Sequence, residues 1–364
     1  MLWRYSKIIF LLFPLILIVG FIVYRVSYAS QLVQTSASFG EETEKILSEL
    51  TLEQKIGQLF IIGFEGKVLN SEIENLIKEL HPGGILLLGR NIENEEQLKE
   101  LISSLQEIAL KDTGLPLFIA VDQEGGLISR IEWIEKSAQS EIENPEQAYL
   151  VGQTRGKELL GLGVNLNLAP LLEVSLATDF IFERSFQKNS EKTAELAKAL
   201  IQGQKQAGIL TAIKHFPGYK GISFNPEERL AAIDKIPEIS QFQDAMKSFP
   251  EMIMVSNAIY KELDQELPFS FSKKGIQFLK SKIKGNYLVI SDDLSQNSLL
   301  NRFSLKEIVA LPVKAGADIL IFSGWRMPIE EGILAFQEAV ENGEISEQRI
   351  NQSVFKIIEL KQKL

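Results

Sequence analysis

No cysteine occurs among the 364 residues. Disulfides, thiolate metal sites and a cysteine nucleophile are excluded together, and the chain is indifferent to the redox state of its compartment. Histidine is almost as scarce. His81 and His215 are the only two and lie far apart in sequence, so a histidine-rich metal site is not expected. Basic residues are outnumbered, 38 Lys and Arg against 48 Asp and Glu, and no basic block offsets the net charge of -10, which argues against a nucleic-acid partner. There is no internal repeat and no low-complexity tract. What remains, 45% hydrophobic and 24% charged residues, is enough to build one full-sized core.

The first residues are of a different kind from the rest. Ile8 to Tyr24 carries no charge over seventeen residues, with Arg4 and Lys7 before it and Arg25 after it. That is close to the lower limit for crossing a bilayer. The length of the run favours an uncleaved anchor, whereas Ser27 and Ala29 have the small-residue spacing for cleavage after Ala29. Residues 1–29 are therefore read as a membrane anchor or signal segment, and residues 30–40, rich in Ser, Gln and Thr, as a linker. On this reading the body, residues 41–364, lies outside the cytoplasm. It is tethered to the membrane, or secreted if the segment is removed.

From Glu41 onward helical and extended patterns alternate. Thr51 with Gln54 three residues later is a capping box opening a helix. Apolar runs that read as strands are Gln58–Phe64, Gly84–Gly89, Leu117–Asp122, Val164–Leu168, Leu210–Ile213, Met252–Val255, Tyr287–Ile290 and Ile319–Phe322. Helical stretches are expected at Ser71–Glu79, Glu95–Ala109, Asn144–Leu162, Glu191–Ala207, Ile239–Lys247, Lys273–Lys284, Leu305–Ala315 and Pro328–Asn342. Eight unbroken apolar strands separated by helices predict a parallel sheet covered on both faces, and at this length a (β/α)8 barrel. An open doubly wound sheet is the structural alternative, since periodicity does not show closure.

Polar groups gather where these strands end, the position at which a barrel presents its chemistry. Leu210–Ile213 stops at Lys214 and His215 and turns at Pro217 and Gly218. Asp122 ends another run, followed by Gly125 and Gly126, and Tyr287–Ile290 ends in Ser291, Asp292 and Asp293. Two adjacent carboxylates at the end of an apolar strand are costly unless paired or used, and side-chain alternation aims one of them inward. Taken alone each stretch has a plain structural reading: an acidic turn at Asp122, a helix cap at Asp292 or Asp293.

As an ordered set these stretches resemble the N-terminal barrel of glycoside hydrolase family 3, and within it the bacterial β-N-acetylhexosaminidases. The matching segments are Thr51–Gly63, Pro82–Gly89 with Asn91, Asp122–Arg130, Asn165–Pro170, Arg184–Phe186, Lys214–Gly218, Pro268–Ser272 and Ser291–Ser295. The resemblance implies a retaining hydrolase that removes terminal β-linked N-acetylglucosamine from a carbohydrate substrate, peptidoglycan-derived glycans in particular, with neither metal nor cofactor. It makes Asp292 the nucleophile and Asp122, Arg184, Lys214 and His215 the groups that hold the sugar. The chain departs from the family where that pattern has Asp-Ser-His, the source of the acid/base histidine. Here the loop reads Asn225-Pro226-Glu227, followed by Glu228 and Arg229. Either Glu227 or Glu228, Glu227 in the first place, replaces the histidine as proton donor, or catalysis is impaired and the barrel serves as a tethered sugar-binding or scaffold protein. Two further departures, Glu173 for an aspartate and Asn257 for a histidine, are expected to lie near the site and to alter substrate preference.

Overall fold

Eight strands, all parallel, close into one ring in the computed structural model. They are β1 (Phe60–Ile62), β2 (Gly84–Leu87), β3 (Phe118–Val121), β4 (Leu166–Asn167), β5 (Leu210–Phe216), β6 (Met252–Val255), β7 (Leu288–Asp293) and β8 (Ile319–Phe322). Neighbours in sequence are neighbours in space, and β8 pairs with β1. Closure decides between the barrel and the open sheet in favour of the barrel.

The structure describes residues 40–324 and 329–364, and the chain divides into two compact units, 1–49 and 50–364. The described part of the first unit is a helix over residues 40–49. The apolar segment Ile8–Tyr24, the linker apart from Gly40, and Pro328 lie outside the described residues. Among the described residues no helix is long and apolar enough to cross a membrane.

The barrel is filled according to the two-residue period of a strand. Phe118 and Ala120, Leu210 and Ala212, Met252 and Met254, Leu288 and Ile290, and Ile319 and Ile321 belong to one buried cluster with Ile61, Leu86, Leu166 and Leu168. The intervening residues, among them Ile119, Ile213, Ile253 and Leu320, are also buried. Strands with both faces covered read as continuous apolar runs for this reason. The outer helices begin as their sequences dictate. Thr51 caps Leu52–Gly57 with the reciprocal Gln54 bond, and Asn94, Asn144 and Asn189 cap Glu95–Thr113, Pro145–Gly161 and Ser190–Ala207 through their side chains. The stretch expected as one helix over Ile239–Lys247 is a short helix, Ser240–Ala245, followed by a tighter turn at Met246–Ser248.

The last helix, Glu347–Lys361, was not anticipated from the sequence. It closes the floor of the barrel: Ile357 and Leu360 join the central cluster, and Lys361 is buried behind them. Lys361 Nζ donates to Gln58 Oε1 at 2.7 Å and lies 5.2 Å from the centre of the Phe118 ring. Burial pushes the ammonium down from its ordinary 10.5 to about 7. A folded pKa below the unfolded one makes the buried amine a destabilising feature, present in full below pH 7 and fading as the pH rises towards 10.5. Lys361→Met is therefore expected to raise the denaturant midpoint at pH 6 to 7, the lost Gln58 bond offsetting part of the gain. The advantage should shrink towards pH 10, and an equal gain at both pH values would contradict this account.

Candidate active site

At the carboxyl ends of the strands the inward-facing series runs out of apolar residues. Phe118 and Ala120 are followed by Asp122, Leu210 and Ala212 by Lys214, Leu288 and Ile290 by Asp292, and Ile319 and Ile321 by Ser323. All four polar residues line one cavity of about 540 Å³ at this end of the barrel. Irregular register widens the set. The pairing of β5 with β6 shifts between Ile213 and Phe216, and consecutive residues Lys214 and His215 both border the cavity. A similar shift between Ile290 and Asp293 on β7 brings Asp293 to the same wall as Asp292, so strict alternation does not hold at either strand end.

A cluster of buried charges occupies one side. Lys214 Nζ lies 2.6 Å from both Asp122 Oδ1 and Glu124 Oε1, and Glu124 accepts two bonds from the Arg184 guanidinium, from Nη2 at 2.7 Å and Nε at 3.0 Å. Arg130 approaches Asp122 at 3.9 Å. Burial by itself raises a carboxyl, but Arg184 and Lys214 overcome it and hold Glu124 far below its usual range. Lys214 and Arg130 do the same for Asp122 to a smaller extent. The hairpin that carries Glu124, Gln123–Gly125 paired with Ile128–Ser129, is braced from behind by the fully buried Arg155. Its Nη1 donates to the Glu124 carbonyl at 2.7 Å, while Nη2 lies 2.6 Å from the Glu135 carboxylate.

Asp292 is held differently. Its Oδ2 accepts from the Tyr219 hydroxyl at 3.0 Å, and that hydroxyl accepts from the Asn257 N–H at 2.9 Å. Burial and then the Asp292 charge push the phenol well above its ordinary range, which keeps Tyr219 a donor. Lys214 and Arg184 border the cavity with Asp292, but their bonds go to other carboxylates, those of Lys214 to Asp122 and Glu124 and those of Arg184 to Glu124. Asp293 has a separate task. Its Oδ1 accepts from Ser295 N, Ser295 Oγ and Ser323 N at 3.0, 2.6 and 3.1 Å, tying β7 to β8, and burial raises its carboxyl despite these bonds. Neither aspartate caps the short helix Asn297–Leu300, whose N-cap is Gln296.

Glu173 braces the turn after β5. Oε1 accepts from the His215 backbone at 3.1 Å and lies 3.1 Å from its Nδ1, while Oε2 accepts from Tyr219 N at 3.0 Å. Gly218 between them has φ 122, and a Cβ there would lie 2.8 Å from Glu173 Oε2, so only glycine fits. Asn257 is buried in the adjoining layer, donating to the Asp293 carbonyl at 2.9 Å and accepting from Ser270 Oγ at 2.7 Å. It lies next to the site as expected, supporting Tyr219 from behind. His81, the other histidine, is bonded to Asp112 at the far end of the barrel.

Glu227 comes from the loop that follows β5. It is exposed and borders the cavity together with Asp292 and Asp293. Partial burial and the charges of Asp292 and Asp293 raise it above the ordinary 4.5, against the opposing pull of Arg184 and His215. The six residues singled out in the sequence, Asp122, Arg184, Lys214, His215, Glu227 and Asp292, border the same cavity. Sequence reasoning passed over Glu124 and Tyr219. Glu124 had a signal, two residues beyond Asp122 and therefore on the same face of an extended chain; Tyr219 had none, because its partner is seventy-three residues away. Among the described residues no cluster of three His, Asp or Glu side chains is arranged to hold a metal ion.

Chemically, the cavity offers hydrogen-bond donors and acceptors for a hydroxyl-bearing ring on one wall. On the other it presents a carboxylate fixed by a phenol, with a second carboxyl of raised pKa above it. The description "Glycosyl hydrolase family 3 N terminal domain" matches residues 51–360. A β-hexosaminidase of Tolumonas auensis is 28% identical over 301 residues, covering 78% of this chain and 86% of its own length. Among solved structures, a glycoside hydrolase family 3 β-N-acetylglucosaminidase from Paenibacillus superposes with a TM-score of 0.81 at 30% identity. The match covers 86% of this chain and 62% of that enzyme, so this chain spans less than two thirds of it. The β-N-acetylhexosaminidase of Beutenbergia cavernae superposes with a TM-score of 0.79 at 25% identity, over 86% of this chain and 99% of its own.

The charge cluster makes a stability prediction. Glu124 is depressed in the folded state, so its contribution is complete above the unfolded value near 4.5 and is lost as the pH falls below it. Glu124→Gln leaves Lys214 and Arg184 with one carboxylate fewer, and should cost about 3 to 5 kcal/mol at pH 7. The loss is read from the urea midpoint with m unchanged, and the difference from wild type should narrow below pH 4. A wild-type midpoint at pH 7 would mean that the cluster adds nothing.

Proposed function

The chain belongs to glycosyl hydrolase family 3, and on that premise we propose that it hydrolyses terminal β-linked N-acetylhexosamine, N-acetylglucosamine in the first place, by a retaining mechanism. The sugar type is suggested by the names of its relatives. The observation that carries the mechanism is that Asp292, held by Tyr219, and Glu227, with its raised carboxyl, border one cavity.

In the proposed reaction the Asp292 carboxylate attacks the anomeric carbon as the bond to the aglycone oxygen breaks. That oxygen takes the proton of Glu227. Glu227, now ionised, accepts a proton from water, whose oxygen attacks the glycosyl-enzyme and releases Asp292. The Tyr219 hydroxyl and the Asp293 N–H each hold one oxygen of Asp292, which fixes the carboxylate at the cavity wall. Asp122, Arg130, Arg184, Lys214 and His215 hold the ring hydroxyls, and because their mutual bonds are formed before substrate arrives, little reorganisation is needed on binding. A general acid has to carry its proton at the working pH, which a raised glutamate does over a wider range than an ordinary one.

Asp292→Asn should abolish turnover of both nitrophenyl and methyl N-acetyl-β-glucosaminides. Glu227→Gln should lower kcat/KM for the methyl glycoside by about 10²- to 10⁴-fold, the usual worth of a positioned general acid, and alter it little for the nitrophenyl glycoside, whose leaving group departs without a proton. Equal losses on the two substrates would remove Glu227 from the acid's role. Saturable N-acetylglucosamine binding without any turnover would favour a sugar-binding protein. In wild type, kcat/KM for the methyl glycoside should fall with rising pH on a limb above 4.5, the ordinary glutamate value, as Glu227 ionises. That limb should be missing in Glu227→Gln.

A further inference from the structure

The loop that carries Glu227 is fastened at two places. Its base is bonded to the segment after β4: Gly221 N donates to Asp179 Oδ2 at 3.0 Å, and Phe180 N donates to the Ile222 carbonyl at 2.8 Å. Its tip is bonded to the segment after β7. Ser298 N donates to the carbonyl of Glu227 itself at 2.8 Å, and Asn297 Nδ2 donates to Glu228 Oε2 at 2.8 Å. Between the two, Asn225 Oδ1 accepts from Glu227 N at 3.0 Å, and the Arg229 guanidinium stacks 3.4 Å from the centre of the Phe224 ring. Asn297 and Ser298 open the helix Asn297–Leu300, which follows Asp292 on the same strand exit. The tip is therefore tied to the part of the chain that holds the other carboxylate.

We propose that Asn297 is a positioning residue for the acid: its amide, acting through Glu228 beside the Ser298 N–H, latches the loop tip so that the Glu227 carboxyl faces the aglycone oxygen while Asp292 faces the anomeric carbon. This rests on the retaining reading above. A retaining pair works at a separation of about 5 to 5.5 Å, and a loop held only at its base leaves that distance to chance. A displacement of about 1 Å is enough to cost about 10²-fold in rate. Glu228, which as one of an exposed acidic pair reads in sequence as solvated surface, becomes the catch of the latch. Asn297 borders the same cavity, and the role assigned to it is exerted through the loop tip, on the orientation of Glu227.

The test is the leaving-group dependence of three variants beside Glu227→Gln. Asn297→Ala and Glu228→Ala should each lower kcat/KM for the methyl glycoside by about 10- to 100-fold and leave the dinitrophenyl glycoside within about twofold of wild type. The double variant should be no worse than either single one, as expected when two residues act through one contact. Glu228→Gln keeps an acceptor oxygen for Asn297 and should retain most of the wild-type rate on the methyl glycoside. Glu228 is exposed and Asn297 half-buried, and unchanged urea midpoints would verify that the variants fold. A wild-type substrate ratio in Asn297→Ala, while Glu227→Gln keeps its leaving-group dependence, overturns the latch and leaves the retaining reading intact. Equal losses on both substrates in Asn297→Ala also overturn it. Absence of leaving-group dependence in Glu227→Gln itself overturns the reading beneath it.

Discussion

A lysine ammonium inside a barrel needs negative charge within reach, and Lys214 obtains it from two directions. Its exposure is 2%, and Asp122 and Glu124 each lie 2.6 Å away. Removing two ions from water costs several kcal/mol apiece, so such a group persists only where its partners are close and themselves satisfied. Glu124 meets that condition through Arg184, and its backbone is held by Arg155. One buried charge thus draws together the end of β5, the hairpin after β3 and the loop after β4. The cavity has a rigid polar wall because these three segments cannot separate without leaving a charge unpaired.

The carboxylates around the cavity divide into two kinds according to what they hold together. Glu173 and Asp293 spend their oxygens on backbone N–H groups and hold the turn after β5 and the junction of β7 with β8. Asp292 and Glu227 border the open cavity, the first steadied by a phenol and by the N–H of its neighbour Asp293, the second carried on a loop. Carboxylates in one small volume repel, and the separation of roles limits that cost: the structural pair is committed to donors, while the charge of Asp292 helps keep Glu227 protonated. Tyr219 links the two kinds. Its N–H is held by Glu173, its hydroxyl reaches Asp292, and its ring meets His215 edge-on at 5.4 Å.

The exit of a barrel strand is an efficient place to assemble such a site. The residues below it are fixed by packing in the barrel interior, and those above it belong to loops that vary freely. In this chain the loop after β5 contains no histidine and brings Glu227 to the cavity instead, while the strand ends carry the other charged residues. The loop is not thereby detached from the barrel. Its bonds to Asp179, Ser298 and Asn297 compensate for a short sequence with little apolar content of its own.

By itself the sequence determined the eight strands and most of the helices between them. Burial on both faces of a parallel strand demands an unbroken apolar run, and such runs stand out against amphipathic helices. It also showed polar groups gathering where the strands end, at Asp122, at Lys214 and His215, and at Asp292 and Asp293, while leaving open which of the two adjacent aspartates turns inward. Only the tertiary structure decided which charge meets which. Lys214 and Arg184 could equally have faced Asp292; that they face Glu124 and Asp122 depends on the geometry of a hairpin and a neighbouring loop. Tyr219 and Asn297 were illegible for the same reason, their partners being far away in the chain, as was the last helix, whose apolar residues carry no mark that they close a barrel floor. Local pattern records what a residue needs, water or its absence; the partner that supplies it is chosen by closure of the ring.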